Sequence, residues 1–201
     1  LLNAMKDKKI VTLENPVEYP LDGVDQFQIN PRVEQAFARG VHSLLQQRPN
    51  VIFIGEIRDA ETAELAVQAS EAGHVVLSPM YASDTVPTIR RLFHLGIPPD
   101  LVASNLLMVI AQRLVRRICP ECKTKHVPTD QELQGLGMYN GHTSTVVSYK
   151  GGGCKTCKYT GYYGQTGIYE ILAPNDRLRE EILRCPTKRT LKQLAIEAGM
   201  K

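Results

Sequence analysis

At 201 residues, with 43% hydrophobic and 22% charged content, the chain has the balance of a globular protein with room for one large domain or a domain and a small module. A formal net charge of +3 is too small to imply a nucleic-acid partner, and 6% aromatic residues offer no base-stacking platform. No apolar run reaches membrane-spanning length, and no secretory signal is present.

The chain opens Leu1-Leu2-Asn3-Ala4-Met5-Lys6, which reads as the last turn of a helix already under way. It closes at Gly199-Met200-Lys201, just past another helix, so the expectation is a piece of a longer protein. The β-branched run Ile10-Val11-Thr12 predicts a strand over Lys9–Leu13, and Val24–Ile29 a second, shorter one. Pro31 opens a helix with apolar positions Val33, Phe37, Val41, Leu44 and Leu45, and Pro49-Asn50 stops it. The continuous apolar run Val51–Ile54 predicts a strand buried on both faces of a parallel sheet.

A helix over about Ala60–Ala72 follows, ended by Gly73, and Val75–Leu77 predicts another buried strand. Asp84 is placed to cap a helix that turns Ile89, Leu92 and Phe93 inward, with Gly96 after its end. Asp100 then caps a longer helix running to about Ile118. Alternating strands and helices with short connections predict an α/β three-layer domain with a largely parallel sheet over residues 1–118.

After Cys119 the texture changes. Cys119-Pro-Glu-Cys122 and Cys154-Lys-Thr-Cys157 each place two thiols two residues apart, so that one tight turn can aim both at a single tetrahedral ion. Residues 119–170 therefore read as a four-cysteine zinc module, with 31 residues between the knuckles. Two disulfides or unrelated buried thiols are the alternative. A four-thiolate shell has no open position and reads as structural, and metal-poised thiols point to a reducing compartment. Cys185 has no evident partner in the sequence. Val146-Val147 and Thr166–Glu170 predict short strands around the knuckles. Tyr162-Tyr163 read as packing over the module, with contact to a membrane partner as the other possibility. Two short helices, Arg177–Arg184 and Lys188–Ala198, fill a C-terminal segment over 171–201. On the predicted helix Arg113, Arg116 and Arg117 share a face, as subunit-interface ion pairs or phosphate contacts.

Parallel α/β sheets place ligands at the carboxyl ends of their strands. Two predicted strands end there in acids: Glu14, with Glu18 four residues on, and Glu56, with Asp59 behind it. That arrangement suits Mg²⁺ water shells or an attacking water, though strands also end in solvated acids. His74 beside Gly73 is either a helix-end cap or a catalyst. No G-x-x-x-x-G-K-[ST] phosphate loop occurs.

Taken together, these segments resemble the secretion ATPase superfamily of type II secretion and type IV pilus assembly. Val11-Thr12-Leu13-Glu14-Asn15-Pro16-Val17-Glu18 is similar to its Asp box, with Asn15 where an aspartate is usual. Gln46–Asp59 is similar to its Walker B segment, and Ala66–Ser78 to its His box. Ala111-Gln112-Arg113-Leu114-Val115-Arg116 and the tetracysteine module complete the match, the module resembling the export and assembly branch. Tyr81 stands where the family's second histidine is usual, His42 and Gln46 where arginines are, and Arg48 where an aspartate is.

The resemblance implies the C-terminal part of a RecA-like ATPase core whose phosphate loop lies just before Leu1. It implies a hexamer, cytoplasmic and peripheral at the inner membrane, docked on platform and cytoplasmic-ring proteins and driving pilin-like subunits out of the membrane with ATP and Mg²⁺. Glu14, Glu18, Glu56 and His74 become catalytic candidates, with Glu14 orienting water. Glu56, Arg58 and Arg113 become candidates on the nucleotide side, and Cys119, Cys122, Cys154 and Cys157 the zinc ligands. A catalytically degenerate assembly subunit of the same family is the alternative.

Overall fold

Residues 7–30, 32, 36–135 and 147–200 are described in the computed structural model. They form two compact units, one carrying the chain as far as Ala111 and again from Glu170, the other Gln112–Tyr169. The C-terminal helices thus belong to the first unit.

In the first unit the β-branched run becomes β1, Ile10–Glu14, and the weaker signal after it β2, Asp25–Gln28. Helix α1 spans Ala36–Leu45; the predicted opening at Pro31 and Val33 falls outside the described residues. Strand β3 is Val51–Ile54, helix α2 Ala60–Glu71 and strand β4 Val75–Leu77. The four strands pair in the order β2-β1-β3-β4, all parallel, with Val11 opposite Ile52 and Val51 opposite Val75. Val11, Ile52 and Ile54 are fully buried, against Val41 and Leu44 of α1 and an alanine face of α2.

Two expectations are corrected. Val75 and Leu77 are not buried: they remain 38% and 41% exposed. Strand β4 is the edge of the described sheet, and a short apolar run reads the same at an edge as in the middle. The long helix to Ile118 does not form either. Helices α3, Thr85–His94, and α4, Pro99–Asn105, are followed by strand β5, Val109–Ile118. Arg179 donates its guanidinium N–H groups to the carbonyls of Ala103 and Leu106, satisfying acceptors at the end of α4 that further helical turns would otherwise have used. The β-branched Val109, Ile110, Val115 and Ile118 then pair as a strand with β8, Tyr162–Leu172. On a strand Arg113 and Arg117 share a face and Arg116 points to the other, where its guanidinium sits 4.0 Å from the Tyr162 ring centre.

Helices α6, Asp176–Ile182, and α7, Lys188–Glu197, bury Leu178, Ile182, Leu191 and Ala195 in the same core as the sheet. The start of α3 shows how the C-terminal segment is tied in. Asp84 makes no side-chain capping bond; instead Glu170 accepts from the Thr85 N–H at 3.0 Å and the Thr85 hydroxyl at 2.5 Å. Lys192 of α7 donates to its other oxygen at 2.5 Å. Burial alone would raise the pKa of Glu170, but Lys192 and Thr85 outweigh it and hold the carboxyl down to about 2. A depressed carboxylate stabilises the fold above its unfolded value of about 4.3 and loses that contribution as pH falls toward the folded value. Glu170→Ala is therefore expected to cost about 2 kcal/mol at pH 7, read by urea unfolding, with the difference from wild type shrinking below pH 4.

The second unit holds most of the β5–β8 ribbon, the antiparallel pair β6, Lys123–His126, and β7, Ser148–Gly151, and helix α5, Asp130–Gly135. Gly151 and Gly161 pass backbone to backbone: a Cβ on Gly151 would fall 2.0 Å from the Gly161 carbonyl oxygen. Among the described residues no helix is long and apolar enough to cross a membrane.

Candidate functional site: an acidic sheet edge and a four-thiol cluster

Strands β1 and β3 are hydrogen-bonded neighbours running the same way, so Glu14 at the end of one and Glu56 just past the other leave the same edge of the sheet. Gly55 makes this close approach possible. Its N–H donates to the Leu13 carbonyl at 2.7 Å, and a Cβ there would lie 2.9 Å from that oxygen and 3.3 Å from the Glu14 Cα.

Glu14 is held firmly. Its Oε1 accepts from the Thr12 hydroxyl at 2.6 Å and the Gln26 amide at 3.0 Å. Glu18 is exposed, and among the described residues it takes no hydrogen bond or ion pair. The Glu56 side chain is 13% exposed, and its Oε2 accepts from Arg58 Nε at 2.5 Å and the Tyr81 hydroxyl at 3.3 Å. Tyr81 thus reaches the acid just past the end of β3. Asp59 is a helix cap, accepting from the Thr62 N–H at 2.8 Å.

His74 lies elsewhere. It precedes β4, and its Nδ1 is 2.6 Å from the carbonyl of Pro49, which precedes β3. Both positions are at the amino-terminal ends of parallel strands, opposite the edge that carries Glu14 and Glu56. The ring ties the entry of two strands together and bonds no carbonyl of α2. Arg113 lies on β5 in the second unit and donates to the Gln112 carbonyl at 2.8 Å. A mainly apolar cleft of about 540 Å³ opens beside β4, lined by Phe53, Ile57, Val76, Leu77 and Met80 among others. No ionisable side chain lines it.

The four predicted cysteines converge. All four sulfurs lie within 4.8 Å of one another, and none is in a disulfide. Separations of 3.8 Å for Cys119–Cys154, 3.9 Å for Cys122–Cys157 and 3.8 Å for Cys154–Cys157 match the edge of a tetrahedron. Arms of about 2.3 Å, the zinc–thiolate length, give an edge of about 3.8 Å. Backbone N–H groups aim at the sulfurs: Gly153 donates to Cys122 and Gly161 to Cys157, both at 3.3 Å, and Cys154 to Cys157 at 3.2 Å. The Cys154 and Gly161 donors hold the Cys157 thiol down to about 6, whereas burial pushes Cys122 up to about 11. The donor set, its spacing and its N–H···S bonds fit a tetrahedral thiolate-bound cation.

The family model for type II/IV secretion system proteins matches residues 1–201. The chain belongs to the type II/IV secretion system protein family. It is 46% identical over 176 residues to the type II secretion system protein E of Dickeya dadantii, covering 88% of this chain and 34% of that one. It is 44% identical over 176 residues to the type II secretion system ATPase E of Vibrio cholerae, covering 88% and 35%. To the type IV pilus assembly ATPase PilB of Thermus thermophilus it is 38% identical over 198 residues, covering 98% and 22%. The chain thus spans about a third or less of the length of these relatives. Among solved structures, the pilus retraction motor PilT with bound ADP superposes with a TM-score of 0.63 at 25% identity, covering 96% of this chain and 45% of that one. The DotB ATPase of Legionella pneumophila shares the fold, with a TM-score of 0.63.

In this member of the type II/IV secretion family, two residues not singled out from the sequence, Thr12 and Gln26, donate to Glu14. The register pairs these two residues across β1 and β2. Polar residues at Thr12, Glu14, Gln26 and Gln28, each two apart, carried the signal of a polar sheet face.

Proposed function

We propose that the full-length protein is an ATP hydrolase powering type II secretion or type IV pilus assembly, working as a cytoplasmic homo-hexamer at the inner membrane with platform and ring proteins. The observation that supports this best is the pair Glu14 and Glu56 on one carboxyl edge of adjacent parallel strands, in a chain whose relatives include named ATPases. When bound, Mg²⁺–ATP supplies the transferable phosphoryl group and the divalent charge that the reaction needs. Glu14 orients the attacking water and accepts its proton. Glu56 would hold the metal side of the nucleotide, and Arg58 beside it would face phosphate charge. Glu18 adds negative charge to the same loop. His74 keeps the strands in register. The cation proposed for the four thiolates is Zn²⁺, in a structural role.

A second reading, a catalytically degenerate assembly subunit, is favoured by one contact: Arg58 already neutralises Glu56 at 2.5 Å, with Tyr81 on the same oxygen. Phosphate release by the full-length protein, assayed together with its membrane partners, separates the two. Turnover that needs Mg²⁺ and stops on chelation with EDTA supports the hydrolase. No turnover by folded hexamers leaves the degenerate subunit.

A further inference from the structure

Glu14 Oε1 takes two hydrogen bonds, from Thr12 Oγ1 at 2.6 Å and from Gln26 Nε2 at 3.0 Å. Among the described residues Oε2 takes none. The two donors are themselves constrained. Thr12 is only 5% exposed, and its hydroxyl donates to Glu14. Gln26 uses its whole amide: Nε2 also donates to the Tyr19 carbonyl at 3.0 Å, and Oε1 accepts from the Leu21 N–H at 2.7 Å. Flipping that amide would turn its oxygen toward a carboxylate and a carbonyl, so the three partners fix its orientation. Gln28 repeats the device one pleat further, accepting from the Val17 N–H at 3.2 Å. Side chains of β2 thereby anchor the loop that follows Glu14 and clamp one of its oxygens.

We propose that Thr12 and Gln26 are positioning residues for Glu14, pinning Oε1 and presenting Oε2 as the oxygen that meets the attacking water. This rests on the reading of Glu14 as the water-orienting carboxylate. A free carboxylate rotates about its last torsion and offers either oxygen, whereas one clamped by two donors holds a single lone-pair direction. Errors of about 1 Å in such placement cost roughly a hundredfold in rate. Thr12 sits among the buried Ile10, Val11 and Leu13 of β1, where valine would fill the same space, and its hydroxyl is used on Glu14, which fits a functional rather than a stabilising purpose.

The test compares Thr12→Val, Thr12→Ser and Glu14→Gln in the full-length protein, with ATP turnover and urea unfolding measured for each. Thr12→Val keeps the shape and removes the donor. It is expected to lower kcat roughly ten- to a hundredfold, leave KM for ATP within about twofold, and leave the unfolding midpoint unchanged or higher. Thr12→Ser, which keeps the hydroxyl, should retain most of the rate. Wild-type kcat in Thr12→Val, an equal loss in Thr12→Ser, or a loss matched by a fallen midpoint overturns the proposal. If Glu14→Gln is inactive while Thr12→Val is normal, only the positioning role fails. If Glu14→Gln is as active as wild type, or wild type itself is inactive, the underlying reading of Glu14 fails with it.

Discussion

Cys154→Ser in the full-length protein is expected to lose its metal and unfold residues 112–169 while the parallel sheet persists. The physical reason is how little else holds that unit together. Of its large aliphatic side chains that the structure describes, Leu133 alone is buried; Leu114, Val127, Val147 and Ile168 are all more than half exposed. The other buried side chains at its centre include Cys119 and Cys157 themselves. So small an apolar core makes the unit dependent on the proposed metal, and structural zinc contributes about 10–16 kcal/mol to comparable small folds at pH 7. Without it, two short ladders and a close glycine crossing remain, which is too little to offset the chain entropy of some fifty ordered residues. The sheet of the first unit has its own core, running through Val11, Ile52, Ile54, Ile89 and Leu191, and does not share this dependence. Metal analysis should find one zinc per wild-type chain. Limited proteolysis should then cut the variant within residues 112–169 and spare β1 to α3. A Cys154→Ser protein as protease-resistant as wild type in that segment would mean that the thiol cluster does not hold the unit together.

Glu14→Gln is expected to lower kcat by roughly a hundred- to ten-thousandfold, the range for losing a positioned proton acceptor, with KM for ATP changed little. The substitution keeps the side chain's size and its ability to accept from Thr12 and Gln26 through the amide oxygen, so the fold has no reason to change. What it removes is a full negative charge and the basic second oxygen. Steady-state kinetics over a range of ATP concentrations checks this; a large rise in KM at constant kcat places Glu14 in binding instead.

The sheet and its acids were legible because they follow from local rules. β-branched and apolar runs made β1 and β3, and their last residues fall where parallel strands end. The thiols were legible from spacing alone. Features that failed share one cause, dependence on a distant partner. Asp100 to Ile118 carries enough helical periodicity to mislead, and its true end at Asn105 is set by Arg179, 76 residues away from Ala103, and by pairing with β8. Glu170 replaces Asp84 as the cap of α3 across 85 residues, which no local capping rule could show. The exposure of Val75 and Leu77 is likewise a matter of position in the sheet rather than of sequence. The placement of His74 follows from strand direction: a residue before a parallel strand cannot share an edge with residues after its neighbours.

The carboxyl edge of β1 and β3 is the place proposed for ATP hydrolysis. A structure of the full-length protein with Mg²⁺, ADP and aluminium fluoride tests it most directly. Glu14 Oε2 is expected within about 3 Å of the water in line with the fluoride and Glu56 facing the metal's water shell, with Thr12 and Gln26 still on Oε1. Nucleotide seated elsewhere, or Glu14 turned away from that water, would contradict it.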